Sequence, residues 1–559
     1  MLSNSLVAGV VATCYVVVLV LQLNPALSLS PAKLAPLVET VGFFYAVNLT
    51  VIFYVMMVAG QLLSREPFSP AWVSVSVLAW LGAAAAAGGA ALMWTNVQTF
   101  ALVLEPVTVQ HLIAGVIALA SASVLLVIVA LVRRATEVSR RWLAAWVLTI
   151  VVASIAVPLA VRGPAAPQPL DSHPLGVVLD AIPPESTRRV TIVAVDAGSL
   201  DLIVNAAAEG RLPNFGRILD SGSAAHLATL HPTSAEAVWT AVATGKLPQK
   251  NGVRSAGIYR LPGDADPVQL LPEFCFANGL VRFGFLSEQP YNSTALRTHT
   301  LWSILSTLGI PVGVVNWPLT YPAPVVRGYL VSDLYARLAP TLFGIDNPSM
   351  LYPPEVQAEA LPVLQAVAAD PLAAGLEERF QSAARIDRVN DRLGQTLSLG
   401  RPPQVAVVRY QSLDPIGHYF LRYAMPSAFG DVSDDERRRL GGVLERHYAL
   451  IDEAIGRAIG DLGPDDLLLV TSAYGMVPLS PGKRILEWLI GDPQLSGTHD
   501  GAPDGFLMAY GASVAKTRSI QRASVVDIVP TVLYFLGLPI GRDMDGYART
   551  DLFQPDFTE

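Results

Sequence analysis

The chain has 559 residues, 52% of them hydrophobic and only 15% charged, with 38 basic against 46 acidic residues and a formal net charge of −8. An ordinary soluble domain is about 25% charged, so this composition argues against a disordered chain, a coiled coil or a basic nucleic-acid-binding arm. It points to membrane segments joined to a folded domain, and two cysteines, Cys14 and Cys275, are too few for a disulfide scaffold.

The first 162 residues hold only four acids (Glu39, Glu66, Glu105, Glu137) and seven bases (Lys33, Arg65, Arg133, Arg134, Arg140, Arg141, Arg162). Long apolar runs lie near 5–23, 38–62, 72–93, 108–132 and 142–160. Each is long enough to cross a hydrocarbon core of about 30 Å as a helix, which satisfies its own backbone groups. The third run is nearly all Ala and Gly from Gly82 to Leu92, and a buried or re-entrant segment is its alternative. The first run has no Lys or Arg at its start and is followed by further runs, so it reads as an anchor and not as a cleaved signal peptide. With the N-terminus inside, the inner loops carry Arg65, Arg133, Arg134, Arg140 and Arg141, and the outer loops carry Lys33 as their base. This bias predicts a multi-pass membrane protein with a cytoplasmic N-terminus. Five spans put everything after about 162 on the outer, extracytoplasmic face, and an even number would reverse that. No span carries a convincing buried ion relay.

Residues 163–187 open with GPAAPQPLDSHPLGVV, which reads as a Pro/Gly-rich linker. The remainder, 188–555, is predicted to be one α/β domain. Arg189–Val195 (RVTIVAV), Val312–Val315, Val405–Val408 and Leu467–Thr471 are apolar strand-like runs separated by helical stretches. Strands of this kind imply a mostly parallel central sheet covered on both faces. Such sheets carry their chemistry at the carboxyl ends of the strands.

Polar residues sit at those ends. Asp196 closes the first strand, where it can hold a metal or cap the turn at Gly198. Asp414 and His418 follow the VAVV strand four residues apart, which on a helical turn puts both on one face. A carboxylate oxygen and an imidazole nitrogen so placed suit Zn or a similar divalent ion, although a turn aspartate and a surface histidine fit the same letters. His499 lies among glycines, either on a surface loop or as a ligand that small neighbours allow to approach. Thr233 and Ser234 precede a helical segment ending at Gly245. A hydroxyl there could attack phosphorus, but an ordinary N-cap is the simpler reading.

Taken together, VAVDAGSLDLI (193–203), RLPNFGRILDSG (211–222), VWTAVATGKLPQKNGV (238–253), NWPLTYPAP (316–324), LDPIGHYF (413–420), SGTHDGAPDGFLMAYG (496–511) and SVVDIVPTVLYFLGLPIGRDMDG (524–546) resemble the alkaline phosphatase superfamily. The resemblance is to its type I phosphodiesterase/nucleotide pyrophosphatase branch, covers about 188–550 and says nothing of the spans. It implies an alkaline-phosphatase-like α/β domain with two divalent metals, usually zinc. One metal is implied to be held by Asp414, His418 and His499. The second is implied to be held by Asp196 and by an Asp-His pair in a segment close to Ser-Asp-His-Gly-Met. Here that segment reads Ser472, Ala473, Tyr474, Gly475, Met476, so both further ligands are missing. The nucleophile position, four residues before Trp239, is Ala235, with Ser234 one residue short. The expectation is therefore one divalent metal, Zn or Mn, and a doubtful second.

Three readings follow. The first is a membrane-anchored phosphoester or phosphodiester hydrolase with one intact metal half-site. The second is an inactive member that binds a phosphorylated or anionic envelope ligand. The third is a phospho-group transferase acting on lipid or glycan. The expected partners are the lipid bilayer and a phosphorylated small molecule, lipid or glycan, with no nucleic-acid polymer.

Overall fold

The computed structural model describes residues 1–63, 73–136, 139–164, 187–263, 266–338, 347–368, 377–501, 503–516 and 522–558. Nearly all of the linker read over 163–187, and the loop bearing Arg65, lie outside the described residues. The chain divides into two compact units. One comprises Met1–Asp171 with Arg254–Pro290, the other Ser172–Val253 with Tyr291–Glu559.

The first unit holds five helices long and apolar enough to cross a membrane: Leu2–Leu23, Pro31–Leu62, Val75–Thr99, Pro106–Arg133 and Arg140–Arg162. The Ala/Gly-rich third run is thus a helix of full spanning length. The second helix contains Pro36 and passes through a π-helical turn at Val38–Gly42 before resuming as Phe43–Leu63. Proline has no amide hydrogen and crowds the preceding turn, which accounts for the irregular stretch there. Helix contacts rely on small residues: a Cβ added at Gly9 would lie 2.8 Å from the backbone of Thr50. One buried charge in this unit is satisfied by backbone carbonyls. Arg162 donates to the carbonyls of Leu21, Asn24, Pro25 and Leu27, the free end of the first helix.

Sequence composition did not mark the excursion Arg254–Pro290 as part of this unit. It carries a three-stranded sheet with Gly257–Arg260 between Pro267–Val268 and Ser287–Pro290. Two helix-end asparagines hold it. Asn24 accepts from the amides of Gln269 and Leu270 and donates to the Leu270 carbonyl. Asn96 accepts from the Glu273 amide.

The second unit is built on a nine-stranded sheet. Its strands are β1 (Val190–Val195), β2 (Ser223–Ala228), β3 (Val312–Trp317), β4 (Gly328–Ser332), β5 (Leu351–Tyr352), β6 (Val405–Tyr410), β7 (Leu467–Tyr474), β8 (Asp504–Tyr510) and β9 (Ala523–Ser524). The spatial order is β9-β2-β8-β7-β1-β6-β3-β4-β5. The five central strands β7-β1-β6-β3-β4 are parallel, and β8 and β5 run antiparallel beside them. The four strands expected from apolar runs are all central. Every residue of β3 and β7 is buried, which is why their sequences show no polar alternation. In register, Val190 of β1 pairs with Leu467 on one side and Val405 on the other. The carboxyl ends of β1, β6 and β7 therefore finish side by side, and the site lies there.

Candidate metal centre

Asp414 and His418 lie on the helix Leu413–Ala424, which follows β6 directly. The i, i+4 spacing puts both side chains on one face, with His418 Nε2 3.8 Å from Asp414 Oδ1. His499 reaches the same oxygen from another segment, its Nε2 also at 3.8 Å. One ligand atom from each residue falls within 4.8 Å of the others. The two imidazole rings meet edge to face with centroids 5.1 Å apart.

The approach of the two segments depends on glycines. A Cβ at Gly497 would meet the Gly417 carbonyl oxygen at 2.6 Å, and one at Gly417 would meet Met476 Sδ at 2.5 Å. The Ser496 amide donates to the His418 carbonyl at 2.7 Å and locks the two segments together.

Both rings are oriented through their other nitrogen. His418 Nδ1 lies 2.8 Å from the Gly497 carbonyl, and His499 Nδ1 3.2 Å from the Thr233 carbonyl. A carbonyl only accepts, so each Nδ1 carries a proton, and in the neutral ring the lone pair is on Nε2. Backbone orientation of a histidine through its far nitrogen is the usual support for a metal ligand. Asp414 Oδ1 is buried and, among the described residues, has no hydrogen-bond partner. An unpaired buried carboxylate oxygen facing two imidazole lone pairs is costly by itself and fits one divalent ion.

Asp196, expected to anchor the second metal, lies outside this cluster. It ends β1, where its amide donates to the Tyr410 carbonyl. Its carboxylate is gripped by Arg409 of β6. Arg409 Nε donates to Oδ1 at 3.0 Å and Nη2 donates to Oδ2. Only 3% of the Asp196 side chain and 9% of the Arg409 side chain are exposed. Burial pushes the Asp196 carboxyl upward, and the adjoining guanidinium opposes that shift. Asn316 at the end of β3 clamps the arginine: its Nδ2 donates to the Arg409 carbonyl at 2.9 Å, and its own carbonyl lies 3.3 Å from Arg409 Nη1. Asn316 does this with φ of 62°, a left-handed conformation that asparagine tolerates better than most residues. The Trp239 ring lies 5.9 Å from the guanidinium carbon.

The positions of the missing Asp-His pair complete this wall. Ala473 and Tyr474 are fully buried at the end of β7. The Tyr474 hydroxyl is buried and without a hydrogen-bond partner among the described residues, and its ring lies 5.3 Å from that of His499. Burial, with Asp196 and Asp414 nearby, holds the phenol well above its ordinary pKa, so it is a neutral hydroxyl and not a phenolate ligand. Ser472 Oγ accepts from the Gly198 amide at 3.0 Å and donates to the Tyr474 carbonyl at 2.9 Å.

Ser234 is the N-cap of the helix Ala235–Thr244, its Oγ accepting from the Ala237 amide at 3.3 Å. Thr233 Oγ1 donates to the Leu230 carbonyl. Glu236 stands in the first turn, and burial raises its carboxyl.

Beneath Asp414 is a layer that sequence reasoning missed. Asp387 is buried on the helix Glu378–Gly400 and accepts from the amides of Gln411 and Ser412 at 2.8 and 2.9 Å. Burial brings its carboxyl up to about 6. Ser412 Oγ lies 2.8 Å from Nδ1 of buried His447, which burial brings down to about 4. This layer fixes the turn from which Asp414 projects. The one available signal was Asp387 itself, a carboxylate between Ile386 and Val389 in an apolar stripe.

Residues 190–516 match the family model of type I phosphodiesterase / nucleotide pyrophosphatase. Among curated proteins none matches. Similar solved structures include murine ectonucleotide pyrophosphatase/phosphodiesterase 5 as an inactive variant in complex with AMP, at 11% identity and TM-score 0.39, covering 66% of this chain and 100% of that one. The human form of that protein is also 11% identical, with TM-score 0.38 and the same coverage. A variant of the alkaline phosphatase PafA is 12% identical, with TM-score 0.40, covering 67% of this chain and 100% of that one.

Proposed function

From a chain that belongs to the type I phosphodiesterase/nucleotide pyrophosphatase family, we propose a membrane-anchored hydrolase of phosphoester or phosphodiester bonds that works with one divalent metal ion, Zn or Mn. Asp414, His418 and His499 would hold the ion. The observation that carries this reading is the convergence of two backbone-oriented imidazole nitrogens on the buried, unpartnered Asp414 Oδ1. When bound, the ion supplies Lewis-acid polarisation of a phosphoryl oxygen. The protein's own groups hold the two rings in one tautomer, keep Asp414 aimed from its turn, and set a neutral Tyr474 hydroxyl beside His499 where an anionic oxygen could accept from it. A nucleotide, a lipid headgroup and a glycan phosphate share the chemistry this site selects. The Arg-rich inner loops support a domain on the outer face, where outer-leaflet lipids and glycans are at hand.

A second reading, binding without turnover, is favoured by a specific observation. Ala235 occupies the nucleophile position, and Ser234 spends its oxygen on the helix cap. A phospho-group transferase is the third reading and has no residue of its own in support. The deciding experiment is hydrolysis by the full-length protein in detergent, against phosphomonoester and phosphodiester panels with added Zn or Mn, beside Asp414→Ala. Turnover absent from the variant supports the hydrolase. Folded, metal-loaded protein that binds nucleotide or phosphate without any turnover moves the assignment to the binding member.

A further inference from the structure

We infer that this site is built for a single metal ion, and that the Arg409 guanidinium is the fixed cation occupying Asp196 where the two-metal arrangement of related sites would place the second ion. The inference rests on the reading of Asp414, His418 and His499 as a metal triad. It concerns what stands beside that triad.

Three observations on independent strands agree. Both oxygens of Asp196 are engaged by one guanidinium, through Nε and Nη2, in a pair excluded from solvent. A bidentate guanidinium has the planar fork that matches a carboxylate, and Arg does not lose its proton in a protein, so the cation beside Asp196 stays charged at any ordinary pH. The second pair of positions offers a methyl group, Ala473, and a neutral phenol, Tyr474, in place of a carboxylate and an imidazole. Ser472 next to them is committed to Gly198 and Tyr474. Asn316, in its left-handed conformation, holds the arginine from the third strand end. A metal ion entering here would have to displace a buried arginine whose guanidinium lies against the Trp239 ring.

Arg409 is therefore a positioning residue: it occupies both oxygens of Asp196 and denies a second ion its anchor.

The test uses the full-length protein in detergent, stripped with chelator, reloaded with Zn or Mn, desalted and measured for metal per chain. The expected values are one equivalent for wild type, none for Asp414→Ala, and one for Asp196→Asn. Because Asp196→Asn leaves a buried arginine unpaired, the charge-free double variant Asp196→Leu with Arg409→Met is measured beside it and is also expected to keep one. Mn-loaded wild type should give the electron paramagnetic resonance spectrum of isolated Mn(II), a readout that needs neither activity nor a variant. An exchange-coupled Mn pair, or a second equivalent lost with Asp196→Asn, would overturn the single-ion inference and leave the triad standing. No metal in wild type would instead overturn the triad reading itself.

Discussion

Replacing Asp196 with Asn tests the wall of the site by stability alone, without reference to metal or substrate. The change is nearly isosteric, yet it leaves the Arg409 guanidinium, 9% exposed, without its bidentate carboxylate partner. Removing one partner of a buried ion pair costs about 3–5 kcal/mol, mostly from the charge left behind. The weak contacts of Arg409 to Asn316 and Gln411, at 3.3 and 3.4 Å, cannot replace a carboxylate. The pair bridges β1 and β6, which exchange hydrogen bonds along their whole length, so its loss should be felt by the sheet centre. Hydrogen-exchange mass spectrometry on the full chain reports this directly. The slowest amides of Val190–Val195 and Val405–Tyr410 should exchange at least about 100-fold faster, since each 1.4 kcal/mol is a factor of ten. The double change Asp196→Leu with Arg409→Met removes both charges and should recover to within about tenfold of wild type, the remainder being the Asn316 carbonyl left without the Arg409 donor. If the single variant shifts exchange less than tenfold, or the double variant is as unstable as the single, the buried pair is not what holds these strand ends.

Three further outcomes follow from the geometry. Gly497→Ala should weaken metal binding by about 10–100-fold in a chelator competition, because its Cβ would meet the Gly417 carbonyl at 2.6 Å and push away the carbonyl that orients His418; unchanged affinity would show that this carbonyl does not set the ring. Ser234→Ala should lose about 1 kcal/mol of helix capping with full metal content and any turnover intact, whereas abolished turnover in a folded variant would identify Ser234 as the nucleophile. His447 is held below its unfolded value, down to about 4, so its protonation favours the unfolded chain and stability falls as pH drops from about 6.5 towards 4. Asp387, raised to about 6, acts in the opposite sense over about 4–6, losing stability as pH rises. His447→Gln should leave the Asp387 effect alone, so that at pH 4 the variant gains up to about 3 kcal/mol relative to wild type compared with pH 7, measured by hydrogen exchange of Leu413–Ala424; parallel pH profiles for the two proteins would refute it.

Much of this molecule was legible in the order of its residues. Spanning helices announce themselves because the bilayer imposes both length and apolarity on a contiguous segment, and all five runs formed helices. The central strands were legible for a related reason: strands buried on both faces must be apolar throughout, as β3 and β7 are. Asp414 and His418 were readable as a pair because a helix converts a spacing of four into one face. The absence of ligands at Ala473 and Tyr474 and of a nucleophile at Ala235 was a matter of letters.

What surrounds those letters needed the fold. Arg409 drew no notice in VAVVRY, since nothing local says that a strand-borne arginine meets a carboxylate 213 positions earlier. Parallel register puts it beside Asp196, and burial shields the pair from solvent. The same holds for the excursion Arg254–Pro290, whose composition is ordinary and whose place is set by the side chains of Asn24 and Asn96. His499 joined Asp414 only because two glycines, 417 and 497, let backbones approach within the space of a methyl group. Sequence determines contacts that a helix turn or a membrane enforces locally. Pairings that depend on which strand ends finish together are decided by the sheet.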